Sequence, residues 1–141
     1  MGAFDFNEVD AAIEKLRKSV APYGYTAGRS HGRGGLDAVQ VYICKTERDG
    51  YLAAFTLEYS LGLPYIISTG LFVRDGYNVL TDKLDACKFE IAKAVGTRII
   101  ASVHADNPRE LARMFKGGWK QIDTVVLQNE PSRLIFVKTL S

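Results

Sequence analysis

Apolar positions return at the helical interval in three stretches of this chain and at the strand interval in six. Val9, Ile13, Leu16 and Val20 fall at i, i+4, i+7 and i+11, which predicts an amphipathic helix over residues 7–20, stopped by Pro22 and Gly24. Leu80, Leu84, Cys87, Ile91 and Val95 form a second unbroken stripe and predict a core-facing helix over residues 80–95, with Gly96 as its cap. Residues 38–45, 51–59 and 65–73 read as strands rich in β-branched and aromatic side chains. The first two are joined by a hairpin turn, Glu47-Arg48-Asp49-Gly50, and Gly62 and Pro64 mark the turn into the third. Two more strands, 123–128 and 133–139, flank the turn Asn129-Glu130-Pro131-Ser132.

Residues 98–119 carry the densest local signal. Arg98 to Val103 is a buried strand by composition. Asn107 suits an N-cap, Pro108 sits at N1 where its missing N–H costs nothing, and Glu110 at N3 completes a capping-box pattern. Leu111, Ala112, Met114 and Phe115 give the helix 107–116 an apolar face. Leu111 and Phe115 are expected in the core, with Trp119 packing beneath. Gly117 and Gly118 can end that helix in the left-handed conformation. The resulting order is helix, three antiparallel strands, helix, strand, helix, two strands. It predicts one α/β domain over residues 1–141, a mixed, mostly antiparallel sheet with helices on both faces. Residues 1–35 supply an N-terminal helix and a glycine-rich basic loop (24–35, GYTAGRSHGRGG), and residues 36–141 the core.

The strand–Asn–helix–Gly–aromatic spacing of residues 98–119 resembles the second half of the GNAT superfamily of N-acetyltransferases. The pattern there is approximately N-p-r-A-i-r-l-Y-e-k-l-G-F. Laid on Asn107 without a gap, it matches Asn107, Pro108 and Arg109, and puts Gly118 and Trp119 on the family's glycine and aromatic. The resemblance runs over residues 38–140 and implies a central split between the family's two parallel strands. It also implies an acetyl coenzyme A site where the fourth family strand meets the next helix. By position, Phe72, Val73, Gly76, Tyr77, Asn78 and Asn107 would contact the coenzyme. The family's Q/R-x-x-G-x-G/A phosphate loop is replaced here by Arg74-Asp75-Gly76-Tyr77-Asn78-Val79, and its proton-donating tyrosine falls on Met114, which has no proton to give. A literal match, Arg29-Ser-His-Gly32-Arg-Gly34, precedes a strand instead of joining a strand to a helix, so its context is wrong for phosphate.

The family likeness therefore implies the fold with a degenerate coenzyme loop. The first reading is a non-catalytic structural or protein-binding component with no cofactor. It is similar in organisation to small virion-associated proteins of tailed bacteriophages. The alternative is an active acyl-CoA-dependent N-acetyltransferase with an atypical loop, using acetyl-CoA and His104 or Glu58 as base. His104 otherwise reads as a turn histidine and Glu58 as a strand-end carboxylate.

Composition narrows the field further. A net charge of +2 does not by itself argue for nucleic-acid binding. Arg29, His31 and Arg33 read either as surface loop residues or as a basic contact for an acidic partner. Seven tyrosines suit half-buried strands or a protein interface. Two cysteines and two histidines are too few and scattered for a structural zinc site, and Cys44 and Cys87 read as small buried hydrophobes. No apolar run approaches a membrane span, and the acidic N-terminus lacks signal-peptide character. The expected setting is cytoplasmic, in a host cell or in a particle assembled there.

Overall fold

The computed structural model describes residues 4–30, 37–46, 48–59, 65–96 and 98–140. Helix α1 (Phe6–Val20) is capped by Asp5, whose carboxylate accepts the Asn7 N–H, and its periodic residues Val9, Ile13, Leu16 and Val20 are buried. Among the described residues follow β1 (Thr26–Ser30), β2 (Asp37–Cys44), β3 (Ala53–Tyr59), β4 (Ile66–Val73), α2 (Leu80–Val95), β5 (Arg98–His104), α3 (Pro108–Lys116), β6 (Lys120–Val125) and β7 (Arg133–Thr139). The strands form one sheet in the order β1-β2-β3-β4-β5-β7-β6. Among the described residues only β4 and β5 pair in parallel.

Three sequence expectations change. The glycine-rich loop 24–35 is a strand over Thr26–Ser30, paired antiparallel with β2. Its small residues hide the alternation, and its one large aliphatic stem belongs to Arg29. The strand is nonetheless specific: a Cβ on Gly28 would lie 2.6 Å from the Tyr42 hydroxyl oxygen, so only glycine lets that ring cross β1. The sixth strand spans Lys120–Val125, not 123–128, because the chain turns extended directly after buried Trp119. Gly96 ends α2 in extended backbone (φ −155°), not in a left-handed cap. The turns read at Glu47 and at Gly62 and Pro64 lie outside the described residues.

Alternation places Ala27, Ile43, Phe55, Ile66, Ile99 and Phe136 on one face of the sheet, where all are buried. All three helices pack on that face, whereas the sequence suggested helices on both. Asp10 of α1 holds Arg29, Lys88 of α2 lies over the Phe55 ring, and Phe115 of α3 meets Phe136 edge-on. Handedness explains it. The connections β4-α2-β5 and β5-α3-β6 step across the sheet in the same direction, and right-handed crossovers in one direction leave their helices on one side.

Helix α3 starts and stops as the sequence predicts. The Asn107 side chain accepts the Glu110 N–H at 3.2 Å, and Gly118 (φ +82°) closes the helix while Trp119 N–H reaches back to the Met114 carbonyl. The capping box is only half made, because the Glu110 carboxylate turns to Arg113 instead. Asn107→Ala should therefore cost about 1 kcal/mol in urea unfolding. A loss below about 0.5 kcal/mol would mean that the single cap bond is not holding the helix.

Candidate functional site in the strand split

β4 and β5 pair only at Ile66–Ile99, Ile67–Ile100 and Ser68–Ala101. Beyond these residues they run on to Val73 and His104 without pairing to each other. A bulge contributes to the divergence: opposite Thr56 and Leu57 of β3, β4 carries one extra residue, Thr69, and bulged strands bend. Two cavities occupy the opening. One, of about 230 Å³, lies between the strands and is lined by Gly70, Lys88, His104, Met114, Trp119 and Arg133, among others. The other, of about 320 Å³, lies where the first turn of α2 faces α3 and includes Val73, Asn78, Asp82, Asn107 and Arg109.

The sequence candidates divide across this geometry. His104 lines the inner cavity, and its Nδ1 is buried without a hydrogen-bond partner among the described residues. Asn107 lines both cavities, and Val73 and Asn78 line the outer one. Phe72 points to the face away from the helices and is 48% exposed. Gly76 sits in a turn with φ +88°, and the Tyr77 ring packs 6.0 Å from Tyr25. Glu58 pairs with Ile67 and lines neither cavity. Arg29 belongs to β1, 2.7 Å from Asp10 and stacked over Phe6. His31 and Arg33 lie outside the described residues.

An ionic cluster beneath the split is absent from those candidates. Lys88 is 4% exposed and its ammonium stands 3.5 Å from Asp85 Oδ1, too far for a good hydrogen bond. That oxygen has no hydrogen-bond partner among the described residues. The other Asp85 oxygen takes Arg113, which also forks onto Glu110. Burial pushes the Lys88 pKa down, with Asp85 opposing the shift. The sequence does carry a signal for it: Leu84, Lys88, Ile91 and Val95 repeat the i, i+4, i+7, i+11 spacing of α1, with a lysine on the core stripe.

Met114, where the family resemblance places a tyrosine, is buried at the inner cavity wall. Cys44 and Cys87 are both buried, and burial, then Glu90, pushes the Cys87 thiol up to about 12, which keeps it protonated and inert near neutral pH. Among the described residues, no three His, Cys, Asp or Glu side chains gather to hold a metal ion, and no helix is long and apolar enough to cross a membrane.

No family model and no curated protein matches the chain. Solved structures do. A probable acetyltransferase from Staphylococcus epidermidis superposes with TM-score 0.63 at 12% identity, over 74% of this chain and 68% of that one. A GNAT family acetyltransferase from Elizabethkingia anophelis, solved with acetyl-CoA bound, gives 0.61 at 8% identity over 83% and 99%. A putative GNAT family acetyltransferase from Desulfovibrio desulfuricans gives 0.58 at 14% identity and spans 99% of this chain and 85% of its own. At such low identities the likeness speaks for architecture, and with the single parallel pair, the split and the element order it establishes that this chain has the GNAT fold.

Proposed function

We propose that this GNAT-fold protein does not transfer acetyl groups and works through contacts with other proteins. The observation that carries this reading is at the junction of β4 and α2. There the N–H groups of Tyr77, Leu80 and Thr81 already donate to the carbonyls of Arg74, Tyr77 and Asn78. A pyrophosphate at a helix N-terminus needs such N–H groups free. Asp75, in the turn before α2, and Asp82, in the first turn of α2, add like charge near the junction, which counts against coenzyme A there. Met114 supports the reading, since a thioether cannot protonate a leaving thiolate. Exposed Phe72 on the face without helices, and Ile122 and Val126 in and beside β6, offer apolar surface for a partner. A place in or around a phage particle belongs to the same proposal and rests on the likeness in organisation described above.

Titration calorimetry with acetyl-CoA tests it. The expected result is no saturable binding below about 1 mM, or about −4 kcal/mol. A dissociation constant near 1 μM, about −8 kcal/mol, would overturn the proposal. It would favour the second reading, an acyl-CoA-dependent N-acetyltransferase with an atypical loop. One observation favours that alternative: His104 lines the open split, where a base could stand. Acyl transfer that vanishes in His104→Ala and survives in Glu58→Gln would establish it.

A further inference from the structure

We propose that the inner cavity of the strand split binds a small organic molecule through one carboxylate group, received by Lys88 at its buried end. The cavity is built for an anion on one side and an apolar body on the other. Lys88 is more than nine-tenths buried, lines the cavity, and among the described residues its ammonium meets only Asp85 Oδ1, at a long 3.5 Å, and the Phe55 ring. A buried ammonium left so poorly partnered is costly, and an incoming carboxylate supplies the missing acceptors. Burial already lowers the Lys88 pKa, so an adjacent anion would favour its charged form.

The charge count selects a monoanion. Lys88, Arg113 and Arg133 line the cavity with three positive charges. Glu110 on the wall and Asp85 behind it return two negative charges to Lys88 and Arg113. Among these five groups one positive charge is left over. It matches a carboxylate and falls short of a phosphate dianion. Arg133 stands exposed, 3.3 Å from the Ser102 hydroxyl, and would draw the anion in. Met114 and Trp119 offer apolar wall for the rest of the ligand. Neither Lys88 nor Arg133 lies at the junction of β4 and α2, so their substitutions test this inference apart from the coenzyme reading.

The test is an NMR and calorimetric titration with butyrate and benzoate, the isosteric neutral amides butyramide and benzamide, and inorganic phosphate. The carboxylates should shift the amide resonances of Gly70, Ser102 and His104 in a saturable way. The amides should bind at least about ten-fold more weakly, the loss expected for removing a charge-assisted hydrogen bond. Lys88→Met should reduce carboxylate affinity at least about ten-fold without lowering the melting temperature. Arg133→Gln, on the surface, should weaken it about three-fold or more. Any of four results overturns the proposal: no probe shifts those resonances, the amides match the carboxylates, phosphate binds more tightly than either acid, or Lys88→Met binds as the parent does.

Discussion

Asp85→Ala should destabilise the protein by about 3–5 kcal/mol, because removing one member of a buried ion cluster strands the others. Lys88 would keep no acid within ion-pair distance among the described residues, and Arg113 would keep only Glu110. Lys88→Met should behave oppositely. It removes a buried charge, preserves volume, and leaves Asp85 to Arg113, so stability should hold or rise. The contrast is itself pH-dependent. The folded-state pKa of Lys88 lies below the 10.5 of the unfolded chain, so the unfolded chain binds more protons between those two values and wild-type stability rises with pH across that window. The advantage of Lys88→Met should be complete below the window and fade as pH approaches 10.5. Urea unfolding of both variants at neutral and alkaline pH measures all of this. A near-neutral Asp85→Ala would mean that the cluster is solvated and does not hold α3 to α2.

Phe136→Ala should cost about 3–5 kcal/mol, and Phe115→Ala only about 1 kcal/mol. Phe136 is fully buried in β7, while Phe115 is 56% exposed and meets it only through one edge-to-face contact with ring centroids 5.4 Å apart. The sequence suggests the reverse for Phe115, which it places in the core with Leu111. Chemical denaturation of both variants decides between them, and equal losses would put Phe115 back in the interior.

That reversal shows where the sequence is legible. Long helices announce their buried face by repetition, and α1 and α2 are found almost to the residue. Helix α3 has only nine residues, and with Leu111, Met114 and Phe115 all on one face the sequence cannot tell which side of that face turns to the core. Packing chooses Met114, with Leu111 partly buried one turn earlier, and rotates Phe115 outward. The strand split was legible through the family resemblance, and element order with crossover handedness accounts for the parallel pairing of β4 and β5. β1 was not, since Gly28 and Ser30 carry no hydrophobic signal and the strand is held by α1: Arg29 ties to Asp10, and Arg17 donates to the Ala27 carbonyl. The ionic cluster lies between two helices far apart in sequence. Lys88 alone hints at buried charge, and nothing in the chain names Arg113 as a partner.

The strand order has a consequence for assembly in time. Among the described residues β6 pairs with no strand but β7, and β7 lies between β5 and β6. A chain translated as far as β6 therefore holds a strand with nowhere to dock, while β5 keeps one edge unpaired. The antiparallel meander from β1 to β4 can close through near neighbours as it is made. The other half of the sheet must wait and then form in a single event as β7 slots into place. Interruption of that event would expose two unpaired strand edges at once, which makes the late insertion of β7 the step at which aggregation competes with folding.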